Sequence, residues 1–331
     1  MIVPRIFSGM QPSGELHIGN WLGALRQWVE LARADTHETI FCVVDAHAIT
    51  VDYTPSEMRS RVLETAICYL AAGLDPQRSA IFVQSDVRQH TELAWYLASC
   101  TQMGELQRMT QFKDKAEQHK NNVNAALFTY PVLMAADVLV YKATLVPVGD
   151  DQVQHLELAR DVARRFNQRF GEIFPEPTPR LSKAPRIMGL DGAAKMSKTK
   201  GNTIALSDAP DVVWNKLKRA FTDPQRLRRT DPGRPEVCNI FTMHQAITPP
   251  ETVAQIDRDC RSAAIGCGDC KKIFFDNVMN ELGPIQERMR AWSAQPDEVR
   301  AILRDGAERC RAIAESTMSE VRQCMGLGAG A

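Results

Sequence analysis

Short apolar runs alternate with amphipathic helical segments through the first half of the chain, and this alternation restricts the possible folds more than any other feature. The runs have the length of strands buried on both faces. They span residues 5–8, 39–45, 80–84 and 145–148. Segments with helical spacing of apolar residues follow them, over residues 20–34, 56–70, 92–100, 133–141 and 151–170. We predict an open parallel α/β sheet that binds ligands beyond the carboxyl ends of its strands.

The pattern changes at a proline-rich passage between residues 175 and 185. Beyond residue 204 it is helical almost throughout, with predicted helices over residues 209–220, 252–263, 267–295 and 298–325. A length of 331 residues exceeds one typical domain. We therefore predict an α/β domain over residues 1–203 and an all-helical domain over residues 204–331.

Charge and apolar content argue against several classes of protein. Lys and Arg together number 40, as do Asp and Glu, so a nonspecific nucleic-acid coat is not expected. The N-terminus lacks the charged and apolar regions of a signal peptide, and the longest apolar region, 125–148, is interrupted by prolines and charges. We expect no membrane partner. Nine cysteines, an odd number, suit a reducing cytoplasm better than a secreted disulfide framework.

Two segments far apart in the chain carry groups that suit phosphate. The first, from Gly9 to Asn20, follows the first strand and opens the first helix, where glycines and a helix N-terminus favour an anion. The second, from Lys195 to Thr199, places two lysines three residues apart among small residues. Each segment alone is explained as simply by a turn before a helix or by a solvated charged loop. The usual signatures, GxxxxGK[ST] and a GxGxxG after a strand, are absent.

Together the two segments resemble the paired signatures of class I aminoacyl-tRNA synthetases. Longer stretches, collinear over residues 6–199, look like the bacterial tryptophanyl-tRNA synthetases. They are FSGMQPSGELHIGNWLGAL, VVDAHAIT, GELQRMTQFKDK, YPVLMAADVL and LVPVGDDQVQHLELARD. The resemblance, which weakens beyond about residue 220, implies a Rossmann-like catalytic domain followed by a helical anticodon-binding domain. It also implies a ligase that activates L-tryptophan with ATP and transfers the tryptophanyl group to tRNA(Trp).

The resemblance further implies which residues handle ATP and its Mg²⁺. The expected catalytic residues are His17, Asn20, Lys115, Lys195 and Lys198. The expected ATP contacts are Gln11, Pro12, Ser13, Gly19, Asn20, Gly149, Asp150, Asp151, Ile187, Lys195, Met196, Ser197, Lys198 and Thr199. Asp151 would bind the ribose and Ile187 would pack on adenine, while the signature lysines would hold pyrophosphate in the transition state. The family usually has Ser at the last signature position, and Thr199 keeps that hydroxyl.

Indole recognition requires a flat apolar slot and an acceptor for the ring N–H. Met134 and Asp137 are three residues apart on a predicted helix and therefore share a face. The neighbours of Asp137 are apolar, so its carboxylate should be buried and partnered. The resemblance completes the expected tryptophan site, which comprises Phe7, His47, Tyr130, Met134, Asp137, Val146, Val148 and Gln152. Tyrosyl relatives carry glutamine at the position of Met134, which favours tryptophan here.

The neutral total charge conceals a basic stretch between residues 215 and 234, with seven basic and two acidic side chains. This stretch could line a phosphate-binding face or be a solvated surface. In the resembled family the helical domain contacts the anticodon of tRNA, and the enzyme is a homodimer in which one tRNA spans both subunits.

Four cysteines lie close together in the predicted helical domain, namely Cys238, Cys260, Cys267 and Cys270. Their spacers of 21, 6 and 2 residues allow free thiols, a four-thiolate zinc site or an iron–sulfur cluster. Zinc usually takes two short pairs of cysteines, whereas three local thiolates and a remote fourth suit a cubane cluster. A subset of the resembled family carries a 4Fe–4S cluster through a similar spacing. We expect a 4Fe–4S cluster, with Zn²⁺ as the alternative.

Two other functions are compatible with parts of the sequence. The first is a nucleotidyltransferase that acts on a small metabolite, but the helical domain and the tryptophan-slot segments argue against it. The second is a redox- or iron-sensing nucleic-acid-binding protein with an inactive nucleotide domain. The intact signature lysines argue against that alternative.

Overall fold

The structure is a computed structural model that describes residues 4–118, 122–182, 188–193, 196 and 201–328. Five of the expected site residues lie outside the described residues; they are Ile187, Lys195, Ser197, Lys198 and Thr199. The five strands of the described sheet are β1 (Arg5–Met10), β2 (Glu38–Val43), β3 (Ser79–Val83), β4 (Leu145–Val148) and β5 (Thr178–Leu181).

The helices of the described residues follow the predicted alternation and continue to Met325. The first eight are α1 (Ile18–Asn20), α2 (Arg26–Ala34), α3 (Asp45–Ala48), α4 (Pro55–Ala72), α5 (Gln89–Ala98), α6 (Met103–Arg108), α7 (Thr110–Gln118) and α8 (Ala125–Leu139). The others are α9 (Val153–Phe170), α10 (Pro210–Arg219), α11 (Asn239–Ile247), α12 (Pro250–Arg261), α13 (Cys267–Ser293) and α14 (Pro296–Met325). A π-helical turn, Trp21–Leu25, joins α1 to α2.

The chain divides into two compact units, each built from separate segments. The first unit contains Met1–Ser13, Gln27–Ser182 and Gln295–Ala331, and the second contains Gly14–Arg26 and Lys183–Ala294. This division differs from a single boundary at residue 203 in two ways. Helix α14, which lies beyond residue 203, belongs to the unit that contains the sheet. The start of the predicted first helix, which lies before residue 203, belongs to the other unit. The catalytic and anticodon-binding roles assigned to residues 1–203 and 204–331 stay predictions.

The first unit is built on a parallel sheet with strand order β3-β2-β1-β4-β5. The predicted parallel α/β architecture is therefore confirmed. Trp28 of α2 stacks on Phe41 of β2 at a centroid distance of 4.9 Å and meets the ring of Tyr69 edge-on at 5.4 Å. The Tyr69 hydroxyl donates to the carbonyl of Cys42 and accepts from the backbone of Met10, which ties the ends of β1 and β2 together.

Two elements of this unit differ from the sequence-based prediction. The strand β5 falls in the proline-rich passage, where no strand was predicted. Pro179 is tolerated because β5 is an edge strand of the described sheet and leaves N–H positions unpaired on one side. Helix α8 begins eight residues before the expected start at 133. The Asn124 side chain accepts from the backbone N–H of Leu127 and caps the helix, which continues through Pro131.

The C-terminal helix α14 packs directly on the edge strand β3. Gly306 makes this approach possible, since a Cβ atom there would lie 2.0 Å from the carbonyl oxygen of Ile81. Nη2 of Arg309 donates to the carbonyl of Ser79 at 2.7 Å. Helix α14 therefore covers the free edge of β3, which could otherwise pair with another strand.

The second unit is helical. The α13 side chains Phe274, Val278 and Leu282 are buried in it, as are Val213 and Leu217 of α10. Within the described residues we find no helix that combines the length and the apolar character needed to cross a bilayer.

Candidate active site

A buried carboxylate, Asp137, is the centre of a hydrogen-bond network in the first unit. Its Oδ1 accepts from Nε2 of Gln84 at 2.6 Å and pairs with Nδ1 of His90 at 2.7 Å. Its Oδ2 pairs with Nε2 of His47 at 2.7 Å. All four residues are buried, with 5% of their surface exposed or less. The Asp137 carboxylate is therefore buried and partnered, as its apolar neighbours in the sequence predict.

The network also determines the charge of this carboxyl group. Burial alone would raise the pKa of Asp137, but the charge and hydrogen bond of His47 and the hydrogen bond of His90 outweigh it, so the pKa lies below its ordinary value. Nε2 of His90 pairs with the Tyr141 hydroxyl at 2.7 Å. The pKa of that hydroxyl is raised well above its ordinary value, chiefly by burial. The contacts of Asp137 therefore extend through His90 to Tyr141, just beyond the end of α8.

The network lies where a parallel sheet is expected to bind its ligand. Gln84 directly follows β3, and His47 lies in the short helix after β2. Phe7 of β1 stacks on Tyr141 with a centroid distance of 5.5 Å and an interplanar angle of 19°. Of the expected apolar walls, Phe7 and Val146 are buried whereas Met134 and Val148 are half-buried. The carboxyl ends of β2 and β3 thus combine fixed polar groups with apolar surfaces.

Tyr130, one of the residues expected in the tryptophan site, pairs through its hydroxyl with Nε2 of His155 at 2.8 Å. Nζ of Lys115 lies 4.7 Å from the centroid of the Tyr130 ring. Burial lowers the pKa of Lys115. Burial and the nearby Lys115 charge lower the pKa of His155 to about 4. Lys115, an expected catalytic residue, is therefore adjacent to Tyr130, an expected residue of the tryptophan site. The neighbouring His155 resists protonation.

Asp151, expected to bind ribose, lies on an exposed turn just beyond β4. Its Oδ2 accepts from Nε2 of Gln111 and from Nε2 of Gln152, each at 3.1 Å. Gly149 leaves room for this carboxylate, because a Cβ atom there would lie 2.8 Å from Oδ1 of Asp151. The neighbouring Asp150 is also exposed. The turn therefore offers two accessible carboxylates at a strand end.

In the second unit, the segment of the first signature is in contact with the described part of the second. The backbone N–H of His17 donates to Oδ1 of Asn20 at 2.9 Å in a capping box. A Cβ atom on Gly19 would lie 3.0 Å from Nδ1 of His17 and 3.6 Å from Sδ of Met196. The backbone N–H of Ile18 also donates to the carbonyl of Ile204 at 2.9 Å. Met196, the one described residue of the second signature, is thus close to Gly19 of the first, although the two are almost 180 residues apart in the chain.

The loop between β1 and α1 holds the remaining expected ATP contacts. In that loop Gln11 is half-buried, Pro12 is buried and Ser13 is exposed. These three residues and the turn that contains Asp151 belong to the first unit, whereas His17 to Asn20 and Met196 belong to the second.

The four clustered cysteines lie within electrostatic range of one another in the second unit. Burial raises the pKa of Cys270 to about 12, and the thiols of Cys238, Cys260 and Cys267 add to the shift. Nη1 of Arg226 lies 3.6 Å from Sγ of Cys260. Across the described part of the chain, however, no group of three or more His, Cys, Asp or Glu side chains is arranged to hold a metal ion.

A cavity of about 280 Å³ adjoins the cysteines. It is lined by Arg226, Leu227, Arg228, Arg229, Gly266, Cys267, Gly268 and Asp269. Arg226 crosses to the cysteine segment, where its Nη2 donates to the carbonyl of Ile265 at 2.6 Å. Nη2 of Arg229 lies 3.1 Å from Oδ2 of Asp269. Part of the predicted basic stretch therefore lines a concave surface at the N-terminus of α13.

Four polar residues of the site were not predicted from sequence, namely Gln84, His90, Tyr141 and His155. Gln84 alone had a usable signal, because it directly follows a buried strand and so lies at the carboxyl edge of the sheet. The other three are on helices or turns and give no local sign of their partners.

Comparisons with known proteins identify the family of this chain. The sequence profile of the family described as tRNA synthetases class I (W and Y) matches residues 3–282. A tryptophan–tRNA ligase of Deinococcus radiodurans is 48% identical over 97% of this chain and 98% of its own length, and one of Helicobacter pylori is 43% identical over 98% of each. The tryptophanyl-tRNA synthetase of Campylobacter jejuni, solved with ADP and tryptophan, shares 34% identity and superposes with a TM-score of 0.85, covering 98% of this chain and all of that one. The chain therefore belongs to the class I aminoacyl-tRNA synthetases, in the family of the bacterial tryptophanyl-tRNA synthetases.

Proposed function

We propose that this enzyme is a tryptophan–tRNA ligase that forms tryptophanyl-adenylate from L-tryptophan and ATP and then charges tRNA(Trp). The observation that carries the proposal is the buried, ionised Asp137 at the carboxyl edge of the sheet, held by donors from three other elements. A buried charge is costly unless it is paired, so a charge retained at a ligand-binding edge indicates a recognition role. The relatives named tryptophan–tRNA ligase support the same substrate.

The proposed tryptophan site groups apolar walls around this network. Its residues are Phe7, His47, Tyr130, Met134, Asp137, Val146, Val148 and Gln152. Selection of indole depends on Asp137, whose carboxylate is the proposed acceptor for the ring N–H. A site that must pair one N–H group rejects phenylalanine-like side chains by roughly 10⁴–10⁵ without an editing step.

The proposed ATP site uses the loop after β1, the turn after β4 and the two signatures. Its residues are Gln11, Pro12, Ser13, Gly19, Asn20, Gly149, Asp150, Asp151, Ile187, Lys195, Met196, Ser197, Lys198 and Thr199. The exposed Asp151 carboxylate suits the two hydroxyls of a ribose. The contact between the His17 segment and Met196 supports a joint role for the signatures.

In the first step the tryptophan carboxylate attacks the α-phosphate, and negative charge accumulates on the leaving pyrophosphate. The protein needs to align these groups and stabilise the charge. We assign alignment to His17 and Asn20, and charge stabilisation to Lys115, Lys195 and Lys198. Mg²⁺ would enter with ATP as the counter-ion of its phosphates, and we propose no protein ligand for it.

The second unit is the proposed binding region for the tRNA anticodon. The cavity beside α13 presents three arginines, and the N-terminus of that helix adds a partial positive charge. Phosphate groups of RNA are recognised by such surfaces, with an affinity that falls steeply with salt.

We propose that Cys238, Cys260, Cys267 and Cys270 hold a 4Fe–4S cluster, with Zn²⁺ as the alternative. The donors fit in kind, because four cysteine thiolates are the usual ligands of a 4Fe–4S cluster and also form structural zinc sites. The four thiols are close enough that Cys238, Cys260 and Cys267 each affect the pKa of Cys270. Gly233 also leaves space at the sulfur, since a Cβ atom there would lie 2.4 Å from Sγ of Cys260. The sulfur atoms are not arranged as a ligand shell in the structure. The cluster would supply a fixed junction between α11, α12 and α13, and we assign it no catalytic step.

We also propose a homodimer in the cytoplasm. Trp95 of α5 is 79% exposed and Met103 of α6 is 63% exposed, and large apolar side chains of this kind are enriched in subunit interfaces. All nine cysteines are free thiols, which suits a reducing compartment.

Aminoacylation of bulk tRNA with labelled amino acids tests the function. Tryptophan should be attached to tRNA and should support exchange of pyrophosphate into ATP, whereas tyrosine and phenylalanine should do neither. Adenylylation of a small metabolite without charging of tRNA would support the nucleotidyltransferase alternative.

A further inference from the structure

Lys271 is a buried lysine of α13 that holds the C-terminal end of α10. Its Nζ donates to the carbonyl of Lys218 at 2.9 Å and to the carbonyl of Ala220 at 2.8 Å. The residue is 8% exposed, and lysine is rarely buried unless its charge is partnered. The last carbonyls of a helix lack partners within the helix, and a cation stabilises them. The end of α10 is therefore fixed to α13.

The end of α10 leads directly to the segment that precedes the second signature. The backbone N–H of Phe221 donates to the carbonyl of Leu190 at 2.7 Å. The Phe221 ring covers Gly192, where a Cβ atom would lie 2.6 Å from Cδ1 of the ring and where a φ of 67° favours glycine. The end of α10 therefore determines where residues 190–192 lie.

Asn239, the first residue of α11, holds the same segment through a different contact. It is 8% exposed, and its Nδ2 donates to the carbonyl of Gly189 at 2.8 Å. The backbone N–H of Leu190 donates to the carbonyl of Asn202 at 2.8 Å, and Nδ2 of Asn202 donates to Oδ2 of Asp191 at 2.9 Å. The residues on the two sides of the second signature are thus paired with each other.

The residues that follow the second signature pair with the first one. His17 and Ala205 form an antiparallel bridge, and the backbone N–H of Leu206 donates to the carbonyl of Leu16 at 2.9 Å. All of these residues belong to the second unit. We call residues 189–192 and 202–206 the signature base. This base joins the two signatures, and Lys271 and Asn239 attach its first part to α10, α11 and α13.

We propose that Asn239 and Lys271 are positioning residues for the activation step, because they fix the signature base and through it the placement of Lys195 and Lys198 relative to His17. The inference rests on the proposed ATP role of the two signatures and adds residues outside the ATP site. We assign neither side chain a contact with ATP. A displacement of about 1 Å at a group that stabilises a transition state can cost about 100-fold in rate.

The kinetic consequence follows from when the charge develops. Negative charge accumulates on the pyrophosphate as the transition state forms, so misplaced lysines should lower kcat and kcat/KM for ATP by the same factor. A variant that merely folds less well has fewer active sites but keeps the kcat of each site. The number of active sites is given by the amount of tryptophanyl-adenylate formed in the first turnover.

The first test replaces Lys271 by methionine, which keeps the length of the side chain but removes its charge. Lys271→Met should lower kcat per active site for tryptophan-dependent pyrophosphate exchange about 10-fold or more, and should change both KM values by less than about 3-fold. Lys272→Met is the matched control, because Lys272 is the adjacent lysine but is exposed and pairs with Asp276 of its own helix. Its kcat should stay within about 2-fold of wild type.

The second test removes the other contact. Asn239→Ala should lower kcat per active site in the same way, by about 3-fold or more, because it removes the donor to Gly189. Asn277→Ala is its control, since the Asn277 amide donates to the carbonyl of Ile273 within α13. That control should keep the wild-type kcat.

A double-mutant cycle with Lys198→Ala shows whether the effect passes through the second signature. If it does, Lys271→Met and Asn239→Ala should each lower kcat by less than about 3-fold further in the Lys198→Ala enzyme. Effects that act independently of the signature would multiply instead.

The outcomes separate this proposal from the function on which it rests. A wild-type kcat per active site in folded Lys271→Met or Asn239→Ala, an equal loss in Lys272→Met, or effects that multiply in the cycle would each refute the positioning role. If Lys271→Met does not fold, Asn239→Ala and its cycle decide alone. A wild-type enzyme without tryptophan-dependent exchange, or a Lys198→Ala enzyme with the wild-type rate, would instead refute the proposed function.

Discussion

Nε2 of His47 lies 2.7 Å from Oδ2 of Asp137, and this contact joins two helices whose contributing residues are 90 positions apart. His47 follows β2, whereas Asp137 is in the last turns of α8. His47, Gln84 and His90 together keep the Asp137 carboxylate fixed and ionised, although Asp137 lies on an apolar face of α8.

Replacement of Asp137 by alanine should lower kcat/KM for tryptophan-dependent pyrophosphate exchange. Hydrogen bonds to a charged group contribute about 1.5–3 kcal/mol, so a fall of about 10- to 150-fold is expected. Asp45→Ala is a suitable control, because Asp45 begins the helix of His47 but pairs with Ser85, outside the network. Near wild-type rates in Asp137→Ala would remove Asp137 from substrate selection.

Stability should fall in mild acid because of His155. Its pKa is about 4 in the folded protein and about 6.5 in an unfolded chain, so between these values the unfolded state binds more protons. His155 therefore has no effect on the free energy of unfolding above about pH 6.5. As the pH falls below that value, it lowers the free energy of unfolding, by about 2 kcal/mol at pH 5. Urea unfolding at pH 7 and pH 5 measures the loss, and His155→Gln should reduce it. An equal pH dependence in that variant would show that other groups are responsible.

Loss of the arginines in the α13 cavity should weaken tRNA binding without affecting the first reaction step. In the double variant Arg228→Gln/Arg229→Gln, the slope of log affinity against log salt should decrease by up to about 2. Arg300→Gln is the control, because Arg300 is a surface arginine of α14 paired with Asp297. Filter binding over a range of salt concentrations gives the slopes. An unchanged slope would place the tRNA phosphates elsewhere.

Anaerobic purification should give a brown protein that contains iron and sulfide and whose visible absorption bleaches on reduction. Cys270→Ser should lose iron but keep tryptophan-dependent pyrophosphate exchange, because the cysteines are proposed as a structural junction. Cys324→Ser, a change far from the four clustered cysteines in sequence, should retain the iron. A colourless protein with one zinc ion per chain would support the alternative.

The architecture of the sheet could be predicted because buried parallel strands must be apolar along their whole length. The runs at residues 39–45 and 80–84 have no other simple explanation, and they became β2 and β3 with small changes at their ends. The edge strand β5 could not be predicted in the same way, since a short segment containing Pro179 carries no continuous apolar run. The π-helical turn at Trp21–Leu25 likewise leaves no pattern that distinguishes it from an ordinary helix.

The site could be predicted where the residues that form it lie close together in the sequence. Met134 and Asp137 share a helix face by their spacing alone, and the glycine-rich loop before His17 is a local feature. The partners of Asp137 were not predictable, because a buried donor can lie anywhere in the chain. Only folding brings Gln84, His90 and His47 within hydrogen-bond distance of it.

The sequence by itself determined the parallel sheet, the helical character of the second half, the two signatures and the family, because each depends on periodicity or on contiguous residues. The tertiary structure decided that α14 packs on the sheet, that part of the basic stretch lines a cavity beside Cys267, and that Gln84, His90 and His47 meet at Asp137. Those outcomes depend on distances between residues remote in the chain, and such distances exist only after the chain has folded.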